Sequence, residues 1–252
     1  MTPLTGGLMH TTAPLLALLL FGSRLPAQDV RPAPFDSSRL VAASDSFAVL
    51  AGGAPIGGQR LTLERVEAGW RYTESTEITG RMKQRTTVLF TADLTPLSVR
   101  QTGSAMGDSM GVSIEYARGR ATGNARTPSP EGRMEGRALD VEVPAGVVDD
   151  NLLQPLLPAL PWSDSAAWRI DLFSGGRGQV SETVLEVTGV ETVAVPAGTF
   201  ETYRVEIRRE DAPAAFWITT AAPHRVVKVA SLVVPIEFVL VETEPGRGSP
   251  TR

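Results

Sequence analysis

Between Ser46 and Glu244 apolar and polar residues alternate in short runs, and each run ends in Gly, Pro, Asp or Asn. Val112, Ile114 and Tyr116 alternate with Ser113, Glu115 and Ala117. Leu139, Val141 and Val143 alternate with Asp140 and Glu142, and Tyr203, Val205 and Ile207 with Arg204, Glu206 and Arg208. The same two-residue period recurs at Leu61 and Leu63, at Trp168, Ile170 and Leu172, and at Ile236, Phe238 and Leu240. Successive side chains of a strand point to opposite faces, so this period predicts strands with one oily and one wet face. Such strands belong to antiparallel sheets, with hairpins at Glu67-Ala68-Gly69, Ala92 to Pro96 and Arg118-Gly119. Gly123-Asn124 reads as a further break, Gly107 to Gly111 as a hairpin loop and Arg126 to Gly136 as a longer loop.

One segment breaks the rhythm. From Val147 to Leu160 the chain reads VVDDNLLQPLLPAL. Leu152, Leu153, Leu156 and Leu157 recur at helical spacing behind Asp149 and Asp150, either of which suits an N-cap. Pro155 is tolerated only in a first turn, which limits the helix to about 149–158. Its apolar face covers the sheet or forms a lid over a cavity.

The start of the chain has a different character. Ala13 to Phe21 is a short apolar run followed by Gly22-Ser23-Arg24 and Leu25-Pro26-Ala27. It falls well short of the ~20 apolar residues a membrane span needs and reads as a signal peptide cleaved after Ala27. The expected organisation is a signal peptide over 1–27, an extended lead-in over 28–45, one β-rich domain over 46–244 and a disordered tail over 245–252. The destination is the periplasm or the cell exterior, with no transmembrane span in the mature chain.

Composition narrows the chemistry. The 252 residues contain no cysteine, which removes disulfides, thiolate metal sites, thiol nucleophiles and a lipidated cysteine. The formal net charge is −4, with acids and bases interspersed, so there is no basic face for nucleic acid. Of 24 basic residues only Lys83 and Lys228 are lysine, a bias that fits a GC-rich genome better than phosphate recognition.

Candidate catalytic motifs weaken in context. Gly107-Asp108-Ser109-Met110-Gly111 matches the G-x-S-x-G of serine hydrolases, and His224 with Asp149, Asp164 or Asp171 would complete a triad. That chemistry needs a strand, a sharp turn and a helix around the serine, whereas Ser109 lies between two strand-like runs. His224, the only histidine after the leader, falls in an apparent turn and cannot by itself build a zinc site. Asp149-Asp150 reads as a helix cap rather than a glycosidase pair. The aromatics, with Trp70 and Tyr72 on one strand face and Phe216 and Trp217 on opposite faces, read as packing. No catalytic, cofactor or metal residue is assigned.

Two stretches carry a resemblance. Val193 to Val205 joins two strands through Pro196-Ala197-Gly198-Thr199-Phe200, and Phe216 to Lys228 joins two more through Pro223-His224. Together they resemble a broad family of uncharacterised exported bacterial proteins, a domain of unknown function. The resemblance implies a fold distantly like the periplasmic lipoprotein-carrier half-barrel. It brings no established catalytic residues. The expectation is a mainly β protein: one large, strongly curved antiparallel sheet or partly open barrel with one short helix. Its role is non-enzymatic, as a binder of an apolar or lipid-like ligand in the concave sheet or as an interaction module for an envelope protein. A contiguous interior cavity favours the first role and a filled core the second.

Overall fold

The structure is a computed structural model that describes residues 30–129, 132–208 and 212–246. The proposed leader and most of the proposed tail lie outside the described residues. Two meanders of consecutive hairpins make up the sheet. The first contains β2 (Ala43–Ala51), β3 (Ala54–Val66), β4 (Gly69–Ile78), β5 (Met82–Phe90), β6 (Pro96–Ala105), β7 (Asp108–Ala117), β8 (Arg120–Pro128) and β9 (Met134–Glu142). The second contains β11 (Ala167–Ser174), β12 (Gln179–Val195), β13 (Gly198–Arg208), β14 (Ala214–Thr219), β15 (Val226–Ser231) and β16 (Ile236–Pro245). Pairing of β16 with β2 joins them into one sheet. Two short strands, β1 (Arg31–Pro32) and β10 (Val148–Asp149), add the only parallel pairings among the described residues, both to β11.

The sheet curls without closing into a barrel. Strands β7 and β11 are far apart in the strand order, yet Tyr116 and Phe173 meet edge to face at 5.9 Å between ring centroids. Among the described residues no ladder seals this seam. Thr127 Oγ1 donates to the Gly176 carbonyl (3.3 Å) and Arg137 Nη1 to that of Arg177 (2.9 Å), tying β8 and β9 to the turn after β11.

The period-two expectation matches the burial. Val112, Ile114, Leu139, Ile170, Leu172, Val205, Ile207 and Leu240 are all buried, while Glu115, Asp140, Arg169 and Arg208 are exposed. Strands β11 and β14 are covered on both faces. Phe173 is as buried as Leu172, and Trp217 nearly as buried as Phe216. The outer ring of Trp217 is shielded by Lys228 Nζ, 4.8 Å above its centroid, and by Arg204.

The non-β segment forms the expected cap and a more broken helix than a regular repeat suggests. Asp149 is the N-cap of a 3-10 turn (Asp150–Leu152), followed by one α turn, α1 (Leu153–Leu156), and a second 3-10 turn (Leu157–Ala159). Pro155 and Pro158 keep the hydrogen-bond ladder from continuing. Leu152, Leu156, Leu157 and Leu160, at 1% exposure or less, fill the concave side against Trp70, Phe90 and Ile114. This segment is a plug in the core. Among the described residues no helix is long and apolar enough to cross a membrane.

Three turn readings need correction. The turn before Ser109 is only Met106-Gly107, because Asp108 to Gly111 already pair with β6. The loop expected over Arg126 to Gly136 is shorter, since β8 runs to Pro128 and β9 starts at Met134. Gly123 interrupts nothing: it lies inside β8, where an added Cβ would sit 1.9 Å from the Ser113 carbonyl oxygen. Its missing side chain lets the β7 and β8 backbones approach closely.

Candidate functional site

Inward positions change chemistry along each strand of the first meander. On β4 they run Trp70, Tyr72, Glu74, Thr76, and on the paired β5 positions Phe90, Val88, Thr86, Gln84. The sheet therefore has an oily end and a polar end inside, with the leucine plug between them. A cavity lies at each.

The larger cavity, about 600 Å³, opens at the oily end of the seam. Four stretches remote in sequence meet there: the chain after β1, the β5–β6 turn, the β7–β8 turn and the link from β9 to the plug. Phe35, Leu94, Leu97, Val143, Val147 and Leu156 give it an apolar wall. Arg118, Arg120 and Asp93 also line it. Behind the wall the Tyr116 hydroxyl donates to the carboxylate of Asp149, which also accepts from Asn151 N (3.0 Å) and Asn151 Nδ2 (2.7 Å). Asp149 is fully buried. Burial raises its pKa above the ordinary 3.8, and the bonds from Tyr116 and Asn151 pull the other way. Burial likewise raises the Tyr116 phenol, helped by the nearby charge of Asp149.

The polar cavity, about 400 Å³, is lined by Tyr72, Glu74, Gln101, Asp150, Gln154 and Ser174, among others. Glu74 accepts from Thr76 Oγ1 (2.7 Å), Tyr72 Oη (3.3 Å) and Gln59 Nε2 (3.3 Å). Burial, followed by the charge of Glu74, lifts the Tyr72 phenol well above its ordinary value. Among the described residues no lysine, arginine or histidine lines this cavity. A third space, about 70 Å³, lies between the plug and β2–β3. Beside it Arg225 Nη1 and Thr243 Oγ1 each reach Asp45 Oδ1 at 2.7 Å, and this fastens the β14–β15 turn across the junction of the meanders.

The triad residues do not converge. Ser109 is exposed on β7 next to the β6–β7 turn. His224 lies in the β14–β15 turn, where Nδ1 contacts the Thr219 carbonyl at 2.8 Å. Strands β16, β2, β3, β4, β5 and β6 lie between β15 and β7, and the two residues occupy opposite ends of the sheet. Asp149 is committed to its cap and to Tyr116, Asp164 is exposed in the approach to β11, and Asp171 lies on β11. Among the described residues no group of three or more His, Cys, Asp or Glu is placed to hold a metal ion. Sequence reasoning missed the seam cavity and its arginine. Arg118 was legible only as a turn residue, and nothing local links that turn to Phe35 or Val147.

Comparison with known proteins fits this architecture. No curated protein matches the sequence. A beta-barrel-like protein of the domain of unknown function DUF1849 from Brucella abortus superposes with a TM-score of 0.54 at 12% identity, covering 83% of this chain and 99% of that one. A candidate lipoprotein from Parabacteroides distasonis aligns over 85% of this chain and 99% of its own at 12% identity, with a TM-score of 0.29. The first likeness is one of fold, and the second is too slight to argue from. The model of a family described as a protein of unknown function, DUF3108, matches residues 46–237, and this chain, with its curled sheet and leucine plug, belongs to that family.

Proposed function

We propose that this protein is exported and binds an apolar or amphipathic small molecule in the cavity at the oily end of its seam. One observation carries the reading. The inner face leaves about 600 Å³ beside the plug with a mainly apolar wall, a size in the range of ligand pockets. An open cavity of that character keeps apolar surface in contact with water until a ligand covers it. The plug also bears on the choice left open by the sequence. The interior is filled at its centre and hollow at its ends, so the binding reading rests on the seam cavity rather than on the whole concave face. A neutral apolar dye such as Nile red gains fluorescence on the wild-type chain under this reading, and Val147→Trp, which fills the cavity, removes the gain. Equal fluorescence from both chains counts against it.

A second reading, an interaction module for an envelope protein, draws on the β15–β16 tip. There Leu232, Val233 and Val234 are 45%, 68% and 49% exposed. Site-specific cross-linking from Val233 in cells, lost in Val233→Asp, is the outcome that reading requires.

A further inference from the structure

We infer that the seam cavity selects single-chain amphiphiles with an anionic head, which Arg118 binds at the mouth. The inference rests on the binding reading above and adds the charge of the ligand. Two of the residues lining the cavity are cationic, Arg118 and Arg120. Arg120 is already committed, because its Nε and Nη2 reach Asp140 Oδ1 at 2.9 and 2.7 Å across the β8–β9 pairing. The nearby acid is occupied as well: Asp93 accepts from the Thr91 hydroxyl within its own turn, and this hydrogen bond is the main cause of its lowered pKa. Arg118 has no ion pair or hydrogen-bonded side-chain partner among the described residues. It is exposed, with φ of 52° in the two-residue β7–β8 turn.

The floor of the cavity fixes the orientation of the ligand. Behind Tyr116 lies the Asp149 carboxylate, which has no cationic partner among the described residues. An anionic head at that depth would meet a carboxyl and an apolar wall, so the head stays at the mouth and the chain goes in. Guanidinium binds carboxylate or phosphate through paired N–H donors, and either head satisfies the site.

Binding of dodecanoate, dodecyl phosphate and dodecan-1-ol to the full chain, measured by displacement of Nile red at neutral pH and low salt, tests the inference. The expected result is that at least one anion binds about tenfold or more tightly than the alcohol, the size of a charge-assisted hydrogen bond. Arg118→Gln abolishes that preference, and Arg118→Lys restores part of it. Whichever anion shows the preference identifies the head group. Equal binding of anion and alcohol to the wild type, or a preference that survives Arg118→Gln, overturns the head-group inference and leaves the cavity reading standing. Failure of all three probes to bind, or binding undiminished by Val147→Trp, overturns both.

Discussion

The two ends of the interior are built from the same strands and have opposite chemistry. At the oily end Trp70, Phe90, Val88 and Val99 are buried, and the cavity at that end has a mainly apolar wall. A few residues further along β4, β5 and β6, Glu74, Thr86, Gln84 and Gln101 line or border a polar one. A strand can hold such a gradient because its inward positions, two residues apart, are chosen independently of one another. The strand ladder thus fixes the shape of the interior, and each inward residue sets the chemistry locally. The two cavities stay distinct only if the plug between them is core and not lid.

The largest effect should therefore come from the plug. Leu157→Ala is expected to destabilise by about 2–5 kcal/mol, the range for emptying a fully buried leucine site, as measured by urea unfolding. A loss under about 1 kcal/mol would mean that the plug moves and the two cavities are not separate.

Next comes the polar pin behind the oily wall. Asp149→Ala removes the N-cap and leaves the Tyr116 hydroxyl without its acceptor, costing about 2–3 kcal/mol. The sign of its pH dependence follows from the direction of the shift. The folded pKa is raised above the ordinary 3.8, so the folded protein keeps this proton where the unfolded chain has lost it. The contribution of Asp149 is most favourable below 3.8 and declines as pH climbs through the raised folded value. Unfolding midpoints across acidic pH should show that decline in the wild type and a flatter profile in Asp149→Asn.

Backbone sites come third. Gly198, with φ of 139° at the start of β13, has nothing closer than Phe200 at 3.6 Å to an added Cβ, so backbone strain is the expected cost of Gly198→Val, at about 1–3 kcal/mol. An unchanged melting temperature would refute that strain. The smallest change should be at the polar end. Glu74→Gln keeps the shape and weakens three hydrogen bonds, for about 1 kcal/mol. A larger loss there, in the same unfolding assay, would make the polar cavity as structurally committed as the oily one.

Much of this architecture was legible in the sequence. The alternation at Val112–Ile114 and Val205–Ile207 reports which face is buried, because one face of each strand packs and the other is solvated. Asp149 announces its cap, since an acid ahead of a leucine-rich run at helical spacing has few other uses. Gly123 misled because Ala121, Gly123 and Ala125 alternate as small residues, without the bulky side chains that mark a buried face. The seam cavity was not legible at all. It depends on Tyr116 meeting Phe173 and Asp149, contacts set by how far the whole sheet curls, and no stretch of sequence encodes that curl by itself.

The pairing of β2 with β16 constrains assembly. Strands β2 and β16, nearly the first and last to emerge, are neighbours, and Ala43 pairs with Pro245. Each meander can form from local hairpins as it is made, but the pairing between them closes a loop of nearly the whole domain and is costly in chain entropy. Until that seal forms, β2 and β16 both present open edges, so the incomplete chain is the form most exposed to sticking to its neighbours.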